Sequence, residues 1–89
     1  MFVPVYTKPF SKDIKRVQKR GKNLEKLKII LRTLIEGQFL DPLHRDHKLM
    51  GHYQGRRECH IEADWLLIYK LDSPKIIFEQ TGSHSDLFR

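Results

Sequence analysis

The fold is decided by residues 65–71, which read WLLIYKL. Aromatic and β-branched residues favour a strand, and apolar side chains on both faces are typical of a strand in the middle of a sheet. Two flanking stretches, residues 56–61 and 75–81, also have strand character, and the turn sequences Glu62-Ala63 and Asp72-Ser73-Pro74 separate the three. The sequence therefore predicts an antiparallel meander with residues 65–71 at its centre.

The N-terminal part predicts one strand and two helices. Residues 1–6 are apolar and β-branched, and Pro4 favours a strand start or an edge position. Thr7 can cap a helix that ends at Gly21, and a second helix begins near Asn23 and stops at residue 37. Two helices with so short a connection are expected to pack as an antiparallel hairpin. The predicted class is α+β, in the order β-α-α-β-β-β, with an antiparallel sheet packed against an N-terminal helical hairpin.

The chain has 89 residues, which is enough for one domain, residues 1–89, and too few for two. Its only cysteine, Cys59, cannot form an intramolecular disulfide and is expected in the core. No apolar leader follows a basic N-terminus, and no run approaches the ~20 apolar residues of a membrane span. These features predict a cytoplasmic protein without a membrane partner.

Positive charge is concentrated in the N-terminal third. The net charge is +6, but residues 1–35 carry +8 while residues 36–89 carry −2. Such a block attracts polyanions, most often phosphate backbones and next an acidic protein, although a solvated basic face is the plainer alternative. The lysines expected to point outward from the helices are Lys12, Lys15, Lys19, Lys26 and Lys28.

Residues 39–54 show no clear period and predict a long loop. Three histidines, His47 in this loop, His60 near a strand end and His84 after the last strand, lie where side chains can converge. His60 is close to the turn that holds Glu62 and Asp64. The remaining two histidines, at positions 44 and 52, are expected at the surface.

RNA gives a chemical reason for such a histidine set. Its 2′-hydroxyl can attack the adjacent phosphorus once a base removes the hydroxyl proton, while an acid protonates the leaving 5′-oxygen. Two imidazoles can do both jobs without a metal or other cofactor, because an ordinary histidine pKa near ~6.5 supplies either protonation state at neutral pH. Arg56 or Arg57 can stabilise the negative charge that develops on phosphorus, and Asp64 can orient a histidine.

Other chemistry is less well supported by the sequence. A zinc site from His44, His47, Cys59 and His60 lacks the usual ligand spacing, and the adjacent Cys59 and His60 point to opposite faces of a strand. There is no glycine-rich phosphate loop. Phe88 can stack on a base or dock on the core.

Three segments in order resemble the YafQ-like branch of the RelE/ParE toxin superfamily. They are residues 46–51 (DHKLMG), 57–69 (RECHIEADWLLIY) and 81–88 (TGSHSDLF), and the resemblance extends to Ser11-Lys12-Asp13. It implies the toxin of a type II toxin–antitoxin system, a ribosome-dependent endoribonuclease that cuts mRNA in the ribosomal A site. The implied partners are mRNA on the ribosome, ribosomal RNA and a cognate acidic antitoxin protein. The implied fold is β-α-α-β-β-β, as the patterns above also predict.

The resemblance also implies roles for individual residues. The implied catalytic set is His47, His60, Asp64 and His84, with the base and the acid unassigned. The expected RNA contacts are Lys12, Lys15, Lys19, Lys26, Lys28, Arg56, Arg57 and Phe88. Many relatives have arginine where this chain has Gln80, so Arg56 or Arg57 would have to supply that positive charge. Two alternatives remain open: a ParE-like, non-enzymatic inhibitor of DNA topoisomerase on the same fold, and a nucleic-acid-binding module without chemistry.

Overall fold

The computed structural model describes residues 1–88 and contains five strands in one sheet. The strands are β1 (Val3–Tyr6), β2 (His47–Lys48), β3 (Arg57–Glu62), β4 (Trp65–Asp72) and β5 (Lys75–Gly82). Their order across the sheet is β1-β5-β4-β3-β2. Strands β3, β4 and β5 pair antiparallel, as the sequence predicts, and β4 lies in the middle.

The prediction of a wholly antiparallel sheet is wrong at one edge, because β1 pairs with β5 in parallel, with Val3 opposite Lys75 and Tyr6 opposite Phe78. Two helices intervene between β1 and the meander, and such a crossover lets a strand return in the same direction. Val3 N–H and Thr7 N–H donate to Pro74 and Phe78 carbonyls, so the nitrogen of Pro4 points away from β5. Pro4 therefore sits on an outer edge, as predicted.

The helices α1 (Lys8–Lys19) and α2 (Leu24–Ile35) begin at the predicted caps. Thr7 Oγ1 accepts a hydrogen bond from Phe10 N–H at 3.1 Å, and Asn23 Oδ1 accepts one from Glu25 N–H at 3.0 Å. Both helices cover the same face of the sheet. The core on this face is made of buried apolar side chains from α1, α2 and the strands, among them Phe10, Val17, Leu27, Ile30, Trp65, Leu67 and Tyr69.

The opposite face of β4 is covered by elements that the sequence does not predict. Leu66 and Ile68 are fully buried there against Leu87, which belongs to a one-turn helix, α3 (His84–Leu87). Leu49 and Tyr53, from the predicted loop, also pack on this cluster. The loop contains β2 and two short 3₁₀ turns, Pro42–His44 and Gly51–Tyr53. Loop and α3 thus form the walls of a second, smaller core.

The two long helices, α1 and α2, are amphipathic. Both α1 and α2 have 12 residues and charged outer faces. In the described residues 1–88, no helix combines the length and apolar character needed to cross a membrane.

Candidate active site

The side chains of interest lie on the sheet face that α1 and α2 leave uncovered. In one row across the sheet, Glu58 stands opposite His47 of β2 and Ile68 of β4, and Ile68 stands opposite Gln80 of β5. Successive side chains of a strand alternate between faces, so Glu58 and His60 project from the same face. His60 stands opposite Leu66, which stands opposite Gly82, so the register places the end of β3 beside the start of α3.

The histidine and carboxylate side chains converge around Glu58 and His84. The ring centroids of His60 and His84 are 5.8 Å apart. Oε1 of Glu58 lies 3.3 Å from Nε2 of His60 and 3.8 Å from Nε2 of His47. Oδ1 of Asp64 lies 2.6 Å from Nδ1 of His84. Three histidines and two carboxylates therefore occupy one small region, with Glu58 joining His47 to His60.

Asp64 fixes the orientation of His84. Its Oδ1 accepts hydrogen bonds from the backbone N–H of His84 at 2.9 Å and from Nδ1 of His84 at 2.6 Å. These two bonds, the backbone one first, hold the pKa of the Asp64 carboxyl below its usual value. Because Nδ1 donates to Asp64, the neutral His84 ring carries its free lone pair on Nε2.

Glu58 is the residue that sequence reasoning missed. Its side chain is 7% exposed, and its ion-pair contacts within the described chain are His47 and His60. A carboxylate is rarely buried without a partner, because loss of hydration penalises the charged form. The usable signal was its position two residues before His60 in a strand, which puts both side chains on one face.

His44 contradicts the expectation of a plain surface residue. It is half-buried, and its Nδ1 donates to the backbone carbonyl of His60 at 2.7 Å. His44 belongs to the 3₁₀ turn Pro42–His44, which lies beside β3. Strand β2 pairs with β3 only at Arg57 and Glu58, so the side chain of His44 supplies a hydrogen bond to the unpaired edge of β3 at His60. His52 is exposed, as expected.

Arg56 and Arg57, which were expected to stabilise negative charge on phosphorus, are both paired with carboxylates. Arg56 Nε contacts Glu79 Oε1 at 2.6 Å. Arg57 stands opposite Tyr69, on the face that the helices cover, and its Nε lies 3.3 Å from Asp46 Oδ1. Asp46 also accepts a hydrogen bond from the Tyr69 hydroxyl at 2.7 Å. Neither guanidinium is a free positive charge next to the histidines.

The four-residue zinc set considered from the sequence does not form. Cys59 is fully buried on the helix side, with Trp65 and Leu67, and burial raises the pKa of its thiol. A different set is close enough to hold a metal ion: one ligand atom each from Glu58, His60 and His84 lies within 4.8 Å of the others. These are ligand types that divalent transition metals accept.

Phe88 contacts the fold on one side and is partly open to solvent on the other. Its ring lies 6.4 Å from that of His84 and meets Tyr53 edge-on at 5.2 Å. The hydroxyl of Tyr53 also donates a hydrogen bond to the carbonyl of Leu87 at 3.1 Å. Phe88 is therefore docked on one side and still 38% exposed beside the histidines.

The five lysines expected to face outward are all exposed, but they differ in their partners. Lys26 contacts Glu62 at 2.8 Å, and Lys28 contacts Glu25 at 3.2 Å. Among residues 1–88, Lys12, Lys15 and Lys19 of α1 form no ion pair. Unneutralised charge is thus concentrated on one face of α1.

Comparison with known proteins gives a consistent result. A family model described as the bacterial toxin of a type II toxin-antitoxin system, YafQ, matches residues 3–89. The mRNA interferase toxin YafQ of Escherichia coli K12 is 44% identical over 84 residues, which cover 93% of this chain and 91% of that protein. The similarity thus spans the helices and all the segments that form the site.

Solved structures agree with the same assignment of the fold. Crystal structures of E. coli YafQ alone and in the DinJ-YafQ complex are 40% and 41% identical, have TM-scores of 0.95 and 0.93, and cover 100% of both chains. A crystal structure of a metal-bound toxin from Helicobacter pylori is 36% identical, has a TM-score of 0.92, and covers 99% of this chain and 100% of that one.

Proposed function

Because the chain belongs to the YafQ family of toxins from type II toxin–antitoxin systems, we propose that it is an mRNA interferase that cuts messenger RNA in the ribosomal A site. The observation that carries the proposal is the pair His60 and His84, with ring centroids 5.8 Å apart and a carboxylate beside each ring. The E. coli relative named an mRNA interferase supplies the substrate class. The proposal takes residues 1–89 as one toxin domain that acts in the cytoplasm.

His84 is assigned as the general base. Its Nδ1–H is donated to Asp64, so Nε2 of the neutral ring is free to take the proton of a 2′-hydroxyl. The deprotonated oxygen then attacks the adjacent phosphorus and forms a 2′,3′-cyclic phosphate. Asp64 stabilises the imidazolium that results, because its carboxylate stays ionised and hydrogen-bonded to Nδ1.

His60 is assigned as the general acid. Its Nδ1 lies 3.3 Å from the Ala63 carbonyl and its Nε2 lies 3.3 Å from Glu58, so a protonated His60 donates to both oxygens. In the reaction the Nε2 proton moves from its contact with Glu58 to the 5′-oxygen as the bond between phosphorus and that oxygen breaks, which leaves a 5′-hydroxyl. This acid and base pair requires no metal.

Positive charge at the scissile phosphate is assigned to protonated His60 and His47. Gln80 is neutral, and the guanidinium groups of Arg56 and Arg57 are engaged by Glu79 and Asp46. His47 is about half exposed and lies 3.8 Å from Glu58. Arg56 and Arg57 remain predicted RNA contacts.

Binding of the ribosome is assigned to the basic face of α1, with Phe88 beside the reacting nucleotide. Lys12, Lys15 and Lys19 are exposed and form no ion pair among residues 1–88, so they can displace counterions from ribosomal or messenger RNA phosphates. Lys26 and Lys28 must first exchange a carboxylate for a phosphate. The partly exposed ring of Phe88 can stack on a base.

The test is cleavage of a defined message on purified ribosomes. Wild-type protein should cut the message only when ribosomes are present, and His84→Ala should lower the rate by about 10²–10⁴-fold, the usual contribution of an acid or base. His52→Ala, which removes an exposed histidine outside the cluster, is the matched control. Absence of cleavage by the wild type, or equal rates for the wild type and His84→Ala, would sink the proposal.

A metal titration separates this mechanism from one that depends on a cation. A divalent ion held by Glu58, His60 and His84 would occupy the ring nitrogens that the acid and base need, and the toxin from H. pylori is described as metal-bound. Activity should survive EDTA when magnesium is resupplied for the ribosomes, and added copper or zinc should inhibit. Activity that EDTA abolishes and only zinc restores would overturn the metal-free assignment.

The proposed protein partner is an acidic antitoxin that covers the basic face of α1. A related toxin, E. coli YafQ, has been crystallised with DinJ. Charge complementarity favours an acidic, partly disordered segment here, because the unpaired lysines of α1 repel one another until a partner neutralises them. Expression from the native operon should yield a complex with a small acidic protein, and recovery of the toxin alone would contradict this partner.

A further inference from the structure

The helix that carries His84 cannot hold its own position. α3 has four residues, and a single turn gains too few backbone hydrogen bonds to offset the cost of nucleation. Its first residue is His84, the proposed base. The orientation of that imidazole therefore depends on contacts that α3 makes with the rest of the molecule.

Asp86 is the centre of those contacts. Its side chain is 10% exposed and forms a capping box with Ser83: Asp86 Oδ2 accepts from Ser83 N–H at 2.9 Å, and Asp86 N–H donates to Ser83 Oγ at 3.2 Å. The same carboxylate receives both terminal nitrogens of Arg20, with Nη1 to Oδ2 at 2.5 Å and Nη2 to Oδ1 at 3.0 Å. One carboxylate thus caps α3 and ties it to α1.

The local backbone is shaped to let this pair form. A Cβ on Gly82 would lie 2.8 Å from Oδ2 of Asp86 and 3.1 Å from Nη2 of Arg16. Both distances are too short for an ordinary contact, so the carboxylate approaches β5 only because residue 82 has no side chain. Arg16 adds a second guanidinium, with Nε 3.8 Å from Oδ2 of Asp86.

The geometry points to Arg20 and Asp86 as positioning residues for the proposed nuclease reaction: their two-point ion pair fixes α3 on α1 and so holds the His84 imidazole against Asp64 and beside His60. The inference rests on the proposed function for its catalytic consequence. A two-point guanidinium–carboxylate pair restricts rotation as well as distance, which a lysine at position 20 would not do. Arg20 is thereby engaged by the protein itself, in contrast to Lys12, Lys15 and Lys19.

The kinetic test compares Arg20→Gln, Asp86→Asn and the double variant in the ribosome assay. Each single variant should lower kcat by about tenfold and leave KM close to wild type, because a shift of the base by a fraction of an ångström weakens the reaction and leaves RNA binding intact. The double variant should be no slower than Asp86→Asn, since both changes remove the same contact. Arg20→Lys should recover only part of the rate.

Matched controls separate positioning from charge. Arg32→Gln and Asp72→Asn remove the same charges from exposed residues of α2 and β4 that form no ion pair among residues 1–88, and both should keep the wild-type kcat. Multiplicative losses in the double variant, or an effect on KM alone, would overturn the positioning role.

An NMR experiment without substrate tests the positioning role of Arg20 and Asp86 independently of the proposed nuclease activity. The ring ¹⁵N shifts of His84 report the Nδ1–H tautomer that Asp64 selects. Arg20→Gln and Asp86→Asn should reduce that signature while the rings of His44 and His52 keep their wild-type shifts. An unchanged His84 signal in both variants would refute the anchoring even if the wild type cuts RNA. A changed signal in a protein that cuts nothing would uphold the anchoring and refute the nuclease.

Discussion

Glu58 stands between two histidines, and its carboxylate is almost completely removed from water. Loss of hydration disfavours an isolated buried carboxylate, and a protonated imidazole beside it restores part of the lost stabilisation. Glu58 is therefore placed to form an ion pair with His47 or His60 when either imidazole is protonated. Sequence patterns found the histidines by residue type, but they could not show that a glutamate of the same strand faces them, since this depends on register and on what covers the sheet.

Glu58→Gln tests this coupling with an almost isosteric side chain. We expect the cleavage rate to fall by about 10²-fold, because His60, the proposed acid, loses the carboxylate that its Nε2 contacts. Glu36→Gln, at the exposed end of α2, is the control and should cleave as the wild type does. A fully active Glu58→Gln protein would show that the carboxylate has no part in the reaction.

Thr81 joins the two central strands through a buried hydroxyl. Its Oγ1 accepts from Trp65 Nε1 at 3.0 Å and donates to the Leu66 carbonyl at 2.6 Å. Thr81→Val keeps the shape but removes the acceptor of the buried Trp65 N–H and one donor to the Leu66 carbonyl, so unfolding in urea should show a loss of about 1–3 kcal/mol.

Thr33→Val provides the comparison for this substitution. Among residues 1–88, the Thr33 hydroxyl bonds to the carbonyl of Ile29 one turn earlier in α2. Its replacement should change the free energy of unfolding by less than about 0.5 kcal/mol. Equal losses at both positions would mean that the buried hydroxyl adds nothing beyond its packing.

At the scale of elements, the sequence predicts the parts whose signals are local. Thr7 and Asn23 cap their helices as expected, and the apolar run of residues 65–71 is the central strand. It does not predict the direction of β1, because residues 1–6 pair as well in either sense and the intervening helices set the direction. β2 and α3 were missed, since two and four residues are too few to show a period.

The stability that α3 contributes to the fold depends on pH through the carboxyl group of Asp86. Hydrogen bonding from Arg20, and then from Ser83, holds the pKa of this carboxyl well below its usual 3.8. A lowered pKa in the folded state means that the stabilisation is complete above the unfolded pKa and is lost as the pH falls through the folded one. The stability difference between wild type and Asp86→Asn should stay constant from about pH 5 to 8 and shrink below pH 3.8.

Urea titrations of both proteins at a series of pH values would measure this difference. Asp72→Asn is the control, because Asp72 is exposed and forms no ion pair among residues 1–88. A gap between wild type and Asp86→Asn that opens instead near neutral pH would assign the effect to a histidine.

At the scale of the whole molecule, the charge proposed to bind RNA and the groups proposed to react lie on different surfaces. The excess of positive charge belongs to residues 1–35, whereas the histidines lie on the sheet face that the helices leave open. The distribution of charge along the sequence predicted the first surface. The second required strand order, because His60 and His84 are distant in sequence and meet only where β3 ends beside the start of α3.

Replacement of Lys12, Lys15 and Lys19 by glutamine should weaken ribosome binding and leave kcat unchanged. Each lysine that neutralises a phosphate contributes about 0.7–0.9 to the slope of log K against log salt, so the slope should become less steep by about 2–3. The control replaces Arg32, Lys70 and Lys75, which carry the same total charge elsewhere. Equal slopes for both triple variants would assign the effect to net charge.

Pro4 affects which other strands can pair with the outer edge of β1. The outer edge of β1 offers the N–H of Tyr6 to a neighbour, but at Pro4 the backbone nitrogen carries no hydrogen. An incoming strand, including β1 of another copy, would find a gap in the row of donors it needs. One missing backbone hydrogen thus makes the outer edge of β1 a poor template for the addition of another strand.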